Sequence, residues 1–322
     1  MSTVVSPAHA TAPRALLRRR CAVCGDKRAR PVAPPKPEAR LLRCNHCGVV
    51  YWDGAWTAAH VQEYYQTYYR CEEPARYDPL TERRYHAILQ RIERRAPPGR
   101  LLEIGCGAGH FLSVAQTRGW QTTGLEVSGS ALQLLRHLQS QGGLRSTVID
   151  QELSQARLPS AAFDAVVMIE VLEHLDEPLT TLQDVHRLLR DDGVLYLTTP
   201  NYDSLSRRLL GARWRIIAEE HRCLFTPKAL RQCLARSGFR PANLTTKNLD
   251  LPDLLATWGL RRGDGHPTHE RSGSQRCRRY VEQTAWLRGL KQGINGILRL
   301  LSAGDTIELT AEKKDAPIGP DA

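Results

Sequence analysis

The chain has 322 residues, of which 41% are hydrophobic and 25% charged, so it can bury one full α/β core and a smaller module. No apolar run approaches the roughly 20 residues that span a bilayer, so no membrane span is expected. Three arginines follow the short apolar stretch at residues 15–17, whereas a signal peptide carries its positive charges before a longer apolar stretch. We therefore expect a cytoplasmic protein.

The positive charge is concentrated at two places. Residues 1–43 carry a net charge of +8 and residues 261–291 a net charge of +5, within a total of +11. Residues 1–20 are rich in Ala, Pro, Ser and Arg without apolar periodicity, and they are predicted to form a disordered basic arm. Such segments either attract phosphates and anionic surfaces or are simply solvated.

Four of the nine cysteines form two closely spaced pairs. Two residues separate Cys21 from Cys24, and two separate Cys44 from Cys47. Together the pairs can supply four thiolates to one tetrahedral site, which suits structural Zn²⁺, and the glycine after each pair suits a turn with positive φ. Residues 21–52 are therefore predicted to be a zinc ribbon in which protein fills every coordination position.

Helices and then an α/β core are predicted after the ribbon. Residues 53–98 carry aromatic and charged residues at helical spacing and are predicted to be a helical linker that ends at Pro97-Pro98-Gly99. Residues 99–249 alternate strand and helix signals, which is typical of a parallel sheet covered by helices. The predicted strands are residues 100–104, 121–126, 146–149, 163–169, 194–198 (after a turn at 191–193) and 242–249.

The C-terminal part departs from this alternation. Apolar residues recur at helical spacing from Leu287 to Leu301, so residues 250–301 are predicted to be a helical insertion. Residues 302–322 are predicted to contain a last strand, at 305–310, that returns to the sheet and is followed by a tail.

The most informative stretch is residues 101–111, with the sequence LLEIGCGAGHF. A buried strand runs into a glycine-rich turn and a helix, so the backbone can approach a ligand where a Cβ would clash. The spacing G-x-G-x-G, with Glu103 near the strand end, suits a nucleoside that carries a positively charged sulfonium. Glu126, at the end of the second strand, can accept both ribose hydroxyls. Either Asp150 or Glu152 can accept from an adenine amine, and we favour Glu152.

These motifs resemble those of the class I S-adenosylmethionine-dependent methyltransferases, closest to the branch with the ubiquinone-biosynthesis O-methyltransferases and zinc-ribbon methyltransferases of bacterial biosynthetic clusters. The resemblance rests on residues 103–109, 163–164, 169–175, 199–201, 214–226 and 238–239. It implies an α/β fold with a Rossmann-like seven-stranded methyltransferase sheet whose final strand is reversed, an N-terminal zinc ribbon and a C-terminal helical insertion. The implied cosubstrate is S-adenosyl-L-methionine, bound by Glu103, Gly105, Cys106, Gly107, Gly109, Glu126, Glu152 and Ile169.

The chemistry is expected at the carboxyl ends of the fourth and fifth strands. Methyl transfer is an in-line displacement, so the enzyme must align the acceptor and, for a hydroxyl, remove a proton. Glu170, Glu173 and His174 follow the fourth strand, and Glu170 and His174 share one face if a helix begins there.

Three interpretations of this group stay open. In the first, His174 or the later His221 is a general base. In the second, Glu170, Glu173 and His174 hold a divalent cation such as Mg²⁺, as in similar ubiquinone-pathway and RNA 2′-O-methyltransferases, the latter adding a histidine that resembles His221. In the third, the group is a structural network at the strand end.

The leading hypothesis for function is O-methylation of a small molecule, such as a sugar, a secondary metabolite or a cell-envelope precursor. The alternative is an RNA methyltransferase whose zinc ribbon and basic arm hold the nucleic acid. A non-catalytic binding protein that kept the fold is the third hypothesis, and the intact set of glycines and acids argues against it. A base nitrogen of DNA is not expected, because residues 170–173 lack an Asn/Asp-Pro-Pro-aromatic turn.

Overall fold

The computed structural model describes residues 20–32, 40–53, 63–65, 79–249 and 284–314. Residues 1–19 of the predicted arm, most of residues 53–78 in the predicted linker, and residues 250–283 of the predicted insertion lie outside the described residues. Within the described ranges, no helix combines the length and the apolar character needed to cross a membrane.

The described residues form strands and helices that alternate along the core. The strands are β1 (Ala29–Val32), β2 (Leu41–Cys44), β3 (Val50–Trp52), β4 (Arg100–Ile104), β5 (Gln121–Leu125), β6 (Thr147–Ile149), β7 (Phe163–Ile169), β8 (Leu189–Pro200), β9 (Cys223–Leu224), β10 (Phe239–Lys247) and β11 (Thr306–Lys313). The α-helices are α1 (Pro79–Glu93), α2 (His110–Thr117), α3 (Gly129–Ser140), α4 (Pro178–Leu188), α5 (Leu205–Leu210), α6 (Pro227–Arg236) and α7 (Ala285–Leu300).

A seven-stranded mixed sheet forms the centre of the protein. Its strand order is β10-β11-β8-β7-β4-β5-β6. Strand β11 is antiparallel to both of its neighbours, whereas the pairs β8–β7, β7–β4, β4–β5 and β5–β6 are parallel. The predicted seven-stranded α/β sheet with a reversed final strand is confirmed.

Strand β7 is buried on both faces of the sheet. Its residues alternate between two hydrophobic clusters, with Ala165 and Val167 on one face and Val166 and Met168 on the other. Helices α1, α2 and α3 contribute buried residues to the first cluster, and α4 and α6 contribute to the second. A strand buried on both faces reads as an apolar run, and residues 165–169 of the predicted strand form such a run.

Two strand boundaries differ from the prediction. The predicted turn at residues 191–193 is wrong, because β8 is continuous from Leu189 and the three residues form a bulge within it. The register shows this, since Phe163 pairs with Leu189 while Ala165 pairs with Val194. Strand β10 begins at Phe239 rather than at residue 242, and a second register shift near Pro241 accommodates a residue that has no N–H to donate.

A second sheet joins the cysteine module to the core. Its order is β1-β2-β3-β9, and all three pairings are antiparallel. Strand β9 belongs to the segment that follows β8 and α5, so the N-terminal sheet includes a strand from outside residues 21–52. Trp52 packs with Trp214 and Leu224 in the hydrophobic cluster beneath this junction.

Helix α7 lies within the predicted insertion, at residues 285–300. Its C-terminal end is held against β10, because Thr246 donates from Oγ1 to the Leu298 carbonyl at 3.2 Å. The Gly304 amide donates in turn to Thr246 Oγ1 at 3.1 Å, which leads the chain into β11. The helical prediction is therefore confirmed for this second part of the insertion.

Candidate functional site

The carboxyl end of β4 runs into a turn with three glycines in the left-handed region. The φ angles of Gly105, Gly107 and Gly109 are +68°, +54° and +77°. A Cβ at Gly105 would lie 2.7 Å from the Val171 side chain, and one at Gly109 would lie 2.5 Å from Leu135. A Cβ at Gly107 would meet no atom within 4 Å. The outer glycines therefore permit close packing, and the middle glycine faces open space that a side chain would occupy.

The Glu126 carboxylate lies across this turn. Its Oε2 accepts from the Gly107 amide at 2.7 Å, and its Oε1 accepts from the Val127 and Ser128 amides, each at 2.8 Å. These three bonds use most of the roughly four acceptor positions of a carboxylate. To accept from both ribose hydroxyls, as predicted, Glu126 would need its Oε2 to accept from a hydroxyl beside the Gly107 amide or in place of it. The ribose contact therefore stays a prediction.

Glu103 is the second acid at the turn, and it is almost completely buried. Its Oε2 has no hydrogen-bond partner among the described residues. Burial, and then the nearby charge of Glu126, raise the pKa of Glu103 well above its usual value. A buried carboxyl oxygen without a partner is destabilising unless a cation or a donor reaches it, so the site favours a ligand that brings one or the other.

The remaining predicted cosubstrate residues lie at the same edge of the sheet. Cys106 directs its sulfur toward Gly124, where an added Cβ would lie 2.6 Å away, so its side chain fills the core and only its backbone faces the turn. Ile169 ends β7 beside the turn. Asp150 and Glu152 are both exposed after β6, and Asp150 also pairs with Arg136 at 3.6 Å. The choice between these two acids stays open.

Two histidines meet beyond the carboxyl end of β7. The ring centroids of His174 and His221 are 4.8 Å apart. His174 Nδ1 lies 3.0 Å from the Glu220 carbonyl, and His221 Nδ1 lies 2.7 Å from the Ile216 carbonyl. Because a carbonyl only accepts, both Nδ1 atoms carry a proton, and in a neutral ring the Nε2 atom keeps a lone pair. Burial, and then His221, lower the pKa of His174 to about 4, so this ring is neutral at pH 7.

Glu173 completes this group. Ligand atoms of Glu173, His174 and His221 all lie within 4.8 Å of one another. Thr199 donates from Oγ1 to Glu173 Oε2 at 2.9 Å, and burial raises the pKa of Glu173 well above its usual value. The helix that would place Glu170 and His174 on one face does not form: Glu170 has φ +54°, and residues 172–174 make a single 3₁₀ turn. Glu170 is not one of these three ligands, but its carboxylate also raises the pKa of Glu173.

Sequence reasoning missed the contacts that hold the His221 loop. Arg222 donates from Nε to Asp176 Oδ1 at 3.1 Å, which ties the loop to the turn that carries His174. Trp52 of the ribbon donates from Nε1 to the Ala218 carbonyl at 3.0 Å. No local sequence pattern predicts either contact, because the partners are far apart in sequence. The pairing of β3 with β9 is the corresponding backbone contact.

The four paired cysteines converge on one point. Their sulfur atoms all lie within 4.8 Å of one another, with Cys21 and Cys47 3.5 Å apart and Cys24 and Cys44 3.5 Å apart. Glycines with φ of +74° and +82° follow the two pairs, as predicted. Four sulfurs at this spacing fit a tetrahedral zinc ion with Zn–S bonds of about 2.3 Å. Cys223 and Cys233, which lie outside the cluster, are buried in the core.

Comparison with known proteins connects this site to a family. A family model described as a methyltransferase domain matches residues 77–244, just over half of the chain. The ubiquinone biosynthesis O-methyltransferase of Haemophilus ducreyi is 29% identical over 152 residues, which cover 46% of this chain and 61% of that protein. The enzyme of the same name from Actinobacillus pleuropneumoniae is 31% identical over 161 residues, which cover 48% and 65%. The chain thus spans less than two thirds of each relative.

A solved structure shares the fold. The crystal structure of the cyclase SpnF aligns with a TM-score of 0.54 and 18% identity, covering 81% of this chain and 98% of that one. At this identity the likeness concerns the fold and not the reaction.

Proposed function

This chain belongs to the class I S-adenosylmethionine-dependent methyltransferases, and from that membership we propose that it transfers the methyl group of S-adenosylmethionine to an oxygen of a small-molecule acceptor. One observation carries the proposal. A buried carboxyl oxygen of Glu103 without a partner lies at a turn whose middle glycine, Gly107, faces open space. A cationic ligand that lies against the turn would satisfy the first and fill the second.

The cosubstrate would lie along the carboxyl edge of β4 and β5. Glu126 already crosses the turn through its bond to Gly107 and would accept from the ribose. The backbone of Gly105 to Gly109 would approach the adenosyl group, and Asp150 or Glu152 would accept from the adenine amine. Ile169, at the end of β7, would contact the cosubstrate on the acceptor side.

The histidine pair would act on the acceptor hydroxyl. Both Nδ1 protons are committed to backbone carbonyls, so each Nε2 can accept a proton as the oxygen attacks the methyl carbon. The hydrogen bond from Thr199 would hold the Glu173 carboxyl in place beside the two rings. We infer that His174 or His221 is the general base and that the other ring positions the acceptor.

A divalent cation is the second candidate for acceptor activation, and one observation favours it. Glu173, His174 and His221 bring two nitrogens and one oxygen within 4.8 Å of one another. Histidine ligands of metals usually donate the other ring N–H to a carbonyl or carboxylate, as both rings do here. Such a cation would polarise the acceptor oxygen. The ligand set would include His221 beside Glu173 and His174.

The cysteine cluster would hold structural zinc. All four coordination positions would come from the protein, which leaves no open position for a substrate. The metal would stabilise the ribbon and, through β3 and Trp52, the loop that carries His221.

Labelled S-adenosylmethionine with cell extracts as the acceptor source tests the proposal. We expect a labelled small molecule whose methyl group is bound to oxygen. Labelled RNA that ribonuclease destroys would favour the nucleic-acid alternative, and a labelled nitrogen or carbon atom would refute O-methylation.

Histidine variants then test whether this group activates the acceptor, and chelation separates the two modes. His174→Ala and His221→Ala should each lower kcat by about 10²-fold or more and leave S-adenosylhomocysteine affinity unchanged. The exposed His137→Ala variant is the control. If kcat is lost on chelation and returns with Mg²⁺ or Mn²⁺, the cation is the activator. If kcat is insensitive to chelation, a histidine is the base.

A further inference from the structure

One residue of the ribbon, Trp52, bonds to both ends of the segment that carries His221. Its backbone amide donates to the Arg222 carbonyl at 3.4 Å, and its indole Nε1 donates to the Ala218 carbonyl at 3.0 Å. Between these two ends, the His221 amide donates to the Ala218 carbonyl at 3.1 Å. Residues 218–222 therefore form a compact turn, which we call the 218–222 turn, and Trp52 holds it from the N-terminal sheet.

Apolar packing strengthens the contact between Trp52 and this part of the chain. Trp52 is only 3% exposed, and it shares a hydrophobic cluster with Trp214 and Ile217, which directly precede the 218–222 turn. Strands β2 and β3 contribute further buried residues to the same cluster. If the turn moved away, the indole N–H would stay buried and lose its hydrogen bond, which is unfavourable. The position of the turn is thus coupled to the ribbon.

The 218–222 turn is also tied to the residues that carry His174. The Glu220 carbonyl accepts from His174 Nδ1, and Arg222 donates from Nε to Asp176 Oδ1. The Arg222 guanidinium is only 2% exposed, and it also donates to the Glu219 carbonyl at 3.2 Å. Arg222 therefore accepts from the ribbon through its backbone and reaches the His174 side through its side chain.

The ribbon makes a second contact at the same end of the sheet. Arg43, on β2, lies 3.5 Å from the Asp203 carboxylate, and its guanidinium lies 5.8 Å from the centroid of the Tyr202 ring. Tyr202 and Asp203 directly follow the carboxyl end of β8. The ribbon therefore contacts both the loop that follows β8 and the loop that precedes β9. The carboxyl end of the strands is where sheets of this type bind their ligands.

We propose that Trp52 is a positioning residue for the His174–His221 pair, so that the ribbon is a structural part of the acceptor site. The proposal rests on the proposed function, because it presupposes that the two histidines act on the acceptor. Their ring centroids are 4.8 Å apart, and a general base and a cation site both depend on this separation. A displacement of about 1 Å at such a group can lower the rate about 10²-fold.

The substitution Trp52→Phe tests the proposal, because it keeps an aromatic ring and removes the indole N–H. Trp120→Phe is the matched control: Trp120 is also 3% exposed and donates from Nε1 to Glu93 at 3.3 Å, at the amino end of β5. Each variant loses one buried hydrogen bond, so both should show similar losses of Tm. With the acceptor that labelling identifies, only Trp52→Phe should lower kcat, by about tenfold or more. The KM for S-adenosylmethionine should stay unchanged.

Hydrogen exchange of the backbone amides gives a readout that needs no substrate. Exchange at residues 217–222 should be faster in Trp52→Phe than in the wild type and unchanged in Trp120→Phe. Unchanged exchange in Trp52→Phe overturns the proposal, because the turn would then not depend on the indole N–H. Equal losses of kcat in the two tryptophan variants also overturn it, as does a wild-type kcat in Trp52→Phe when His221→Ala is impaired. Full activity of His221→Ala would instead refute the role of the histidines in the proposed function.

Discussion

The substitution Gly107→Ala isolates the proposed cosubstrate cradle from the stability of the fold. Gly107 has φ +54°, and a Cβ there would meet no protein atom within 4 Å. Gly142 is a matched control, because its φ is +72° and a Cβ there also meets nothing within 4 Å. Gly142 follows α3, away from the carboxyl ends of the strands. The two alanine variants therefore have the same free-energy cost for holding alanine at positive φ. They differ only in the surroundings of the added Cβ.

The magnitude follows from these two terms. An alanine held at positive φ costs about 1 kcal/mol, so each variant should lose about 2–4 °C in Tm. A Cβ at Gly107 projects into the space assigned to the adenosyl group. A loss of only about 1.4 kcal/mol of binding free energy raises the Kd about tenfold. Gly142→Ala should leave the Kd unchanged.

Calorimetric titration with S-adenosylhomocysteine measures the affinity, and thermal unfolding without ligand measures the shared stability term. We expect equal losses of Tm and at least a tenfold weaker Kd for Gly107→Ala alone. Equal Kd values for the two variants would refute the assignment of the cradle. A much larger loss of Tm in Gly107→Ala would show that the space at this glycine is occupied by protein.

Two further predictions concern the ribbon and the core. The purified chain should contain zinc by atomic absorption. The Cys44→Ser variant should lose the zinc, whereas Cys233→Ala, which changes a buried cysteine outside the cluster, should retain it. Equal zinc content in the two variants would contradict the site. Arg118 holds the pKa of Glu93 below its ordinary value of 4.5, so their ion pair stabilises the fold above that pH and is lost as pH falls through the lowered pKa. Glu93→Gln should therefore cost about 1 kcal/mol in urea unfolding at pH 7 and progressively less as the pH falls through the lowered pKa, and a cost independent of pH would contradict this.

The parts of the fold that were predictable have a local signature. The apolar run at residues 165–169 gives a doubly buried strand, and the spacing of Cys21 and Cys24 gives one half of the candidate metal site. The glycine turn after β4 was predictable for the same reason, because a strand, a turn and a helix follow one another directly.

The parts that escaped prediction depend on contacts between distant segments. Strand β9 has two residues and no periodicity of its own, so its pairing with β3 is a tertiary effect. The positive φ of Glu170 removes the expected helix, and the group of close ligand atoms contains His221 and not Glu170. His221 comes into contact with His174 because Arg222 and Trp52 fix its loop, and neither residue stands in a recognisable motif.

The most direct test of the central claim is a crystal structure of the full chain with S-adenosylhomocysteine. We predict that the adenosyl group lies against Gly107, that Glu126 accepts from the ribose, and that the amino group of the ligand lies within hydrogen-bond reach of Glu103. A ligand bound elsewhere, or a glycine turn closed by protein with Glu126 directed away from the ribose, would contradict the account.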